Sequence, residues 1–146
     1  MSDLKHQILA LVKDDLSAIE TALEENLNPH LDLVSQIARH ILFSGGKRLR
    51  PLLMVLSARI CGYTGNYDKT FSTIFEYLHA ATLLHDDFVD QATLRRGKAV
   101  AHSIWGNAGA VLVGDFLLAR SLSIAAQTEL PDVIRIVAEI TENMSQ

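Results

Sequence analysis

The chain has 146 residues, enough for one domain with a single core. Apolar residues make up 49% and charged residues 21%, which excludes a disordered chain and points to a packed one. A formal net charge of −4 excludes nucleic-acid binding driven by bulk positive charge, and a single cysteine, Cys61, excludes an internal disulfide.

Cys61 is expected to fill a small buried role. Met1–His6 lacks a basic region followed by an apolar run, so no secretory leader is expected. Nor is there a run of 18 uninterrupted apolar residues that would suggest a membrane span. A cytoplasmic protein is the resulting expectation.

Apolar residues recur at helical spacing almost throughout. Leu4, Ile8, Leu11, Val12, Leu16, Ile19, Leu23 and Leu27 form one stripe, with Ser2 placed to cap its start. Asn28-Pro29 reads as a cap followed by a first-turn proline. A second stripe, Leu31, Val34, Ile37, Ala38, Ile41 and Leu42, stops at Ser44-Gly45-Gly46. The basic stretch Lys47-Arg48-Leu49-Arg50 follows, and Pro51 opens a third helix running to about Cys61-Gly62. The turn at 63–67 leads to a fourth helix from about Asp68 to Asp90. Residues 91–98 are polar and read as a loop. A short turn near 101–105 precedes a fifth helix over about 108–127, and Pro131 begins a sixth. No segment alternates with period two over a strand's length, so the fold class is all-α, an antiparallel bundle of about six helices. Helical periodicity continues through Ile134, Val137, Ala138 and Ile140 with no terminating glycine. The chain is therefore expected to be the amino-terminal part of a larger bundle.

Three elements carry chemistry. In Leu83-Leu84-His85-Asp86-Asp87-Phe88-Val89-Asp90, Asp86 and Asp90 are four apart and share a helix face, one turn from each other. Acids are unfavourable at a helix carboxyl end, where the dipole is negative, so a cation is expected there. Hard oxygen ligands suit Mg²⁺, which keeps waters and completes its shell with substrate phosphate oxygens. Asp87 lies about 100° around the helix and is expected to stand behind the direct ligands, or to be an outer ligand at best. The second element is Ser44-Gly45-Gly46-Lys47-Arg48-Leu49-Arg50-Pro51, whose charges and N–H groups ahead of a helix can wrap a diphosphate. Its glycine spacing is not that of a Walker loop. The third is Arg95-Arg96-Gly97, five residues beyond Asp90, able to fold two guanidiniums back over a bound anion. His79 lies two turns before Asp86 on the same helix.

Together these elements resemble the trans-isoprenyl diphosphate synthase family, in which Gly-Gly-Lys-x-x-Arg-Pro, Asp-Asp-x-x-Asp and Arg-Arg-Gly occur in this order. The likeness extends to Glu76-Tyr77-Leu78-His79 and Val113-Gly114-Asp115-Phe116, and is greatest to medium- and long-chain members such as octaprenyl diphosphate synthases. The resemblance implies that Lys47, Arg50, His79 and Arg96 hold the diphosphate of isopentenyl diphosphate. It implies that Asp86 and Asp90 bind the Mg²⁺ that holds an allylic diphosphate, and that Arg95 contacts that same group. Asp115 is given no role. The implied reaction is Mg-assisted ionisation, condensation and elimination, giving an all-trans polyprenyl diphosphate. Ala81, the fifth residue before the aspartate motif, is implied to gate product length, on a stripe with Leu78, Tyr77 and Ile74. On an ideal wheel Ala81 lies about 140° from Asp86, so its direction rests on the resemblance alone. The family habit implies a homodimer. A second aspartate-rich motif and a Lys-Thr element of the family are absent, so the 146 residues alone are expected to be inactive. Alternatives are a short-chain farnesyl or geranylgeranyl diphosphate synthase, a non-catalytic subunit, a terpene cyclase and a plain helical scaffold. A cyclase has no second diphosphate and no use for Lys47, Arg50 and Arg96. A scaffold leaves the charge constellation without a reason.

Overall fold

A computed structural model describes residues 2–144, omitting the side chains of Ser2, Asp3 and Lys5. The chain runs α1 (Ser2–Leu11), α2 (Lys13–Leu27), α3 (Asp32–Leu42), α4 (Leu49–Ile60), α5 (Asp68–Val89), β1 (Leu94–Arg95), β2 (Lys98–Ala99), α6 (Ala101–Ala126) and α7 (Pro131–Met144). The all-α expectation holds, with seven helices among the described residues and one minimal hairpin.

α5 and α6 form the central antiparallel pair. Contacts pair the end of one with the start of the other: Tyr67 donates to the Ile124 carbonyl, Ser121 to that of Ile74, and His85 meets Asp115. Gly114 makes the closest approach possible, because a Cβ built there would overlap the His85 imidazole. α2 and α4 cover one side of α5, α3 packs on α6, and α7 lies against α6. Ile19, Leu23 and Leu27 of α2, Ile37 and Leu42 of α3, Val55, Leu84, Leu117 and Ile124 fill the core. Each such buried side chain contributes about 1.5–3 kcal/mol relative to exposure. Tyr77 is fully buried and donates to the Leu23 carbonyl at 2.7 Å, satisfying its hydroxyl. Burial pushes that phenol well up from its ordinary value. Asp15 is also buried, and ties α2 to α4 through Arg59 (2.8 Å) and to α5 through Lys69 (3.2 Å).

Several local expectations change. The first stripe is broken at Val12 (φ −108°, ψ 8°), and Leu4, Ile8 and Leu11 stay exposed while Ile19, Leu23 and Leu27 are buried. The Ser2 cap lies outside the described side chains. Asn28 ends α2 in the left-handed region (φ 39°) instead of starting α3, which begins at Asp32. An asparagine tolerates that region, and the following proline cannot continue a helix. Cys61 is exposed, not buried, because it caps the solvent-facing end of α4. The turn expected before the fifth helix is a break at Gly106 (φ 80°, ψ 162°) inside α6. α6 is long and apolar enough to cross a bilayer by length and composition alone, with a mean hydropathy of 1.5 over its most apolar window. In the fold it is the core helix against which α3, α5 and α7 pack.

Residues 94–99 form a hairpin where a loop was expected, with Leu94 opposite Ala99 and Arg95 opposite Lys98. Its two-residue turn is Arg96-Gly97, both at positive φ (52° and 78°), as type I′ hairpins require. His40 Nε2 meets the Ala99 carbonyl at 2.9 Å and anchors the hairpin to α3.

Candidate active site

The glycine loop between α3 and α4 is shaped by Arg48. This residue sits at φ 48° with 6% exposure, its guanidinium turned inward against Glu20 of α2 (Nε to Oε1, 2.6 Å) and Glu76 of α5 (Nη1 to Oε1, 2.9 Å). It also lies 5.6 Å from the centre of the Phe43 ring. Burial alone would lower the Arg48 pKa, but the two carboxylates outweigh it and raise it. With the Arg48 guanidinium held by the two acids, its exposed neighbours Lys47 and Arg50 line the same side of the loop beside it.

Those two cations open on a cavity of about 550 Å³ that His79 and Arg96 also line. All four residues assigned to one diphosphate therefore converge, from the glycine loop, α5 and the hairpin turn. Arg96 donates to the Gly45 carbonyl and so joins the hairpin to the loop. His79 has its pKa lowered, first by burial and then by Arg50, with Arg96 and Arg95 adding to it and Glu76 opposing. A neutral imidazole among cations is the state expected before an anion arrives.

At the carboxyl end of α5 the three aspartates divide. Asp86 and Asp90 are exposed, and their side chains accept no hydrogen bond and form no ion pair among the described residues. Asp87 is 4% exposed and accepts from Arg95 twice over, Nε at 2.9 and 3.0 Å and Nη2 at 2.7 Å. Asp87 is thus turned inward and braces Arg95. Arg95 has its pKa raised, first by the hydrogen bonds to Asp87 and then by the Asp87, Asp86 and Asp90 charges, against the effect of burial. Its Nη1 carries no such bond, which leaves one edge of the guanidinium for an anion beside Asp86 and Asp90.

No group of three or more His, Cys, Asp or Glu side chains converges among the described residues. Two exposed carboxylates one turn apart, without a counter-charge in direct contact, fit a hard divalent ion that takes its other ligands from water and phosphate. They do not fit zinc, which wants nitrogen or sulfur and a closed shell.

Below the aspartates, Ala81 is buried and lines a cleft of about 50 Å³ with Leu78, Thr82, His85, Leu118, Thr141 and Met144. A wider space of about 350 Å³ adjoins it, sharing Leu78, Thr82 and Met144 and reaching Arg50 and His79. The basic cavity and the apolar cleft are thereby linked along one side of α5. Tyr77, placed with Ile74 and Ala81 on one stripe by sequence, donates instead to the Leu23 carbonyl, and the fully buried Ile74 does not line the cleft either. The cleft-side set is Phe75, Leu78, Ala81 and Thr82. Asp115 reaches the imidazole of His85 at 3.5 Å, so the Gly114-Asp115 pair packs against the residue preceding Asp86. Sequence reasoning gave no role to Glu20, Glu76 or His85, and took Arg48 only as one charge of the stretch that can wrap a diphosphate. The only local signal was the Glu76-x-x-His79 spacing, which puts an acid one turn from the pocket histidine.

An all-helical bundle with two free carboxylates closing its central helix and a polycationic cavity two turns back has the charge pattern for handling anions. The Polyprenyl synthetase family description matches residues 31–146. The chain is 41% identical over 133 residues to octaprenyl diphosphate synthase of Escherichia coli (strain K12), covering 91% of this chain and 41% of that protein. It is 35% identical over 140 residues to heptaprenyl diphosphate synthase component 2 of Bacillus subtilis (strain 168), covering 95% and 40%. The fold is similar to that of a polyprenyl synthase from Caulobacter crescentus complexed with calcium and isoprenyl diphosphate. That match has a TM-score of 0.86 and 36% identity, covering 94% of this chain and 42% of the other. The chain spans about two-fifths of the length of these relatives. It belongs to the polyprenyl synthetase family.

Proposed function

We propose that this chain supplies the first diphosphate–metal site and the isopentenyl diphosphate pocket of a trans-prenyltransferase making a medium- or long-chain polyprenyl diphosphate, octaprenyl in the best single reading. The observation that carries the proposal is the convergence of Lys47, Arg50, His79 and Arg96 on one cavity, beside a helix ending in Asp86 and Asp90. Two separate anion stations suit a reaction between two diphosphates and have no use in a cyclase.

In this reading Lys47, Arg50 and Arg96 neutralise the isopentenyl diphosphate, and His79 adds a hydrogen bond. Asp86 and Asp90 would hold Mg²⁺, which would supply Lewis-acid stabilisation of the allylic diphosphate as a leaving group. Arg95, fixed by Asp87, offers its free edge to the same diphosphate. The allylic cation is captured by the isopentenyl double bond, and a proton leaves to restore neutrality. Ala81, Leu78 and Leu118 keep water from that cation and receive the growing tail. The names of the relatives, octaprenyl and heptaprenyl synthases, support the chain-length class. A homodimer and a cytoplasmic location belong to the same reading, with Ile104, Leu112 and Leu122 exposed on α6 as a candidate apolar contact surface.

Calorimetric titration with inorganic diphosphate tests the reading. One binding event should require Mg²⁺ and disappear in Asp86→Asn, and a second should be metal-independent and disappear in Lys47→Ala/Arg50→Ala. A single event insensitive to both changes would refute it.

A further inference from the structure

We infer that Arg48 is a positioning residue that keeps the basic cavity receptive to anions by neutralising Glu76, an acid on the cavity wall. The inference rests on the proposed reading of that cavity as a diphosphate pocket, and goes beyond it by giving a joint role to Arg48 and Glu76.

Glu76 is the one acid among the residues lining the cavity. Its side chain is 12% exposed, and its Oε1 accepts from Arg48 Nη1 at 2.9 Å. A Cβ built at Gly46 would lie 3.5 Å from Arg48 Nη1, 3.6 Å from Arg96 Nη1 and 3.9 Å from Glu76 Oε1. These three groups therefore crowd one point on the loop, and Glu76 carries its charge into the place where a diphosphate would sit. A carboxylate so little hydrated, within a few ångströms of an anion site, repels a diphosphate strongly unless a cation cancels it. Arg48 is that cation. Three of its five N–H groups, one each on Nε, Nη1 and Nη2, are taken up by Glu20 and Glu76. Glu20 is half-exposed and secures the far edge of the guanidinium. The left-handed backbone at Arg48 sets the turn by which the loop enters α4.

The test is calorimetric binding of inorganic diphosphate to the 146-residue chain without divalent metal, so that only the basic cavity reports. Arg48→Met should weaken binding about tenfold or more. Arg48→Met/Glu76→Gln should bring it back to within about threefold of wild type, because the uncompensated acid is gone. A double variant as weak as Arg48→Met would mean that Arg48 acts through loop structure alone, and would overturn the inference. So would Arg48→Met binding like wild type. Should circular dichroism find Arg48→Met unfolded, Glu76→Gln alone decides: it should tighten diphosphate binding, and unchanged or weaker binding overturns the inference. Failure of wild type to bind diphosphate at all would instead remove the pocket reading itself.

Discussion

Replacing Asp87 by Asn tests whether the middle aspartate of the motif is a brace and not a ligand. The wild-type carboxylate is 4% exposed and receives Nε and Nη2 of Arg95 at 2.7–3.0 Å. An Asn has one acceptor oxygen in place of two, carries no charge, and turns an N–H₂ group toward the guanidinium. Hydrogen bonds to charged groups contribute about 1.5–3 kcal/mol net, and losing one partner of a fully buried pair costs about 3–5 kcal/mol. Arg95 is 34% exposed, so its orphaned charge recovers part of its hydration. The expected loss is therefore about 1–3 kcal/mol. With a urea dependence of about 1–3 kcal/mol per molar, the unfolding midpoint should fall by about 1 M.

Asp86→Asn provides the contrast. Asp86 is exposed and unpaired, so its removal should move stability by no more than about 0.5 kcal/mol. Urea unfolding followed by far-ultraviolet circular dichroism distinguishes the two variants. Diphosphate titration with Mg²⁺ should reverse the order of severity, with Asp86→Asn the more damaged. An Asp87→Asn midpoint equal to that of wild type would refute the brace.

Three further outcomes follow from the same geometry. In the complete enzyme, Asp86→Asn or Asp90→Asn should cut turnover by orders of magnitude, each about 1.4 kcal/mol of lost stabilisation being tenfold, as steady-state assays with saturating Mg²⁺ would measure. His79 has a lowered pKa in the fold, first through burial and then through Arg50, so the unfolded chain takes up its proton at higher pH than the folded one. Stability should then fall as pH drops below about 6.5, and His79→Gln should flatten that stretch of the urea-midpoint profile. Ala81→Phe places a ring in a cleft of about 50 Å³ and should shorten the product while sparing the first condensation, read by chromatography of dephosphorylated products.

The parts of the site that sequence makes legible are those written within one helix or loop. Asp86 and Asp90 at i, i+4, and His79 two turns earlier, follow from helical spacing alone. The glycines ahead of Lys47 mark a loop because few other residues tolerate φ of 93° at Gly45. The parts that are not legible are choices of partner. Arg48 lies 28 residues from Glu20 and 28 from Glu76, and its sign and type are the same as those of Arg50, which forms no ion pair among the described residues. Asp87 is indistinguishable in type from Asp86, and only the packing of the hairpin decides that one is buried under Arg95 while the other is free. The stripe of Ile74, Tyr77, Leu78 and Ala81 fails for a related reason. α5 is covered on several sides, and an apolar pattern does not tell which face meets α2 and which meets α7.

α5 thus separates tasks by its faces, and the separation limits which changes are independent. One face, with Tyr77 and Ile74, is fixed to α2 and α6 and determines where the helix lies. Another carries Glu76 and His79 into the cationic cavity. A third, with Leu78, Ala81 and Thr82, borders the apolar cleft, and His85 packs on Gly114 at its upper end. The helix then ends in Asp86 and Asp90 facing solvent and Asp87 turned inward. Because a rigid helix rises about 1.5 Å per residue, the distance from His79 to Asp86 is set at about 10 Å whatever the tail length. Substitutions in the cleft can therefore alter what the tail meets without moving the two charged stations relative to each other. A shift of α5 against α6 at Gly114 would move both stations together. Gly114→Ala, which drives a methyl into the His85 ring, is accordingly expected to damage both anion stations at once, whereas Ala81→Phe spares them.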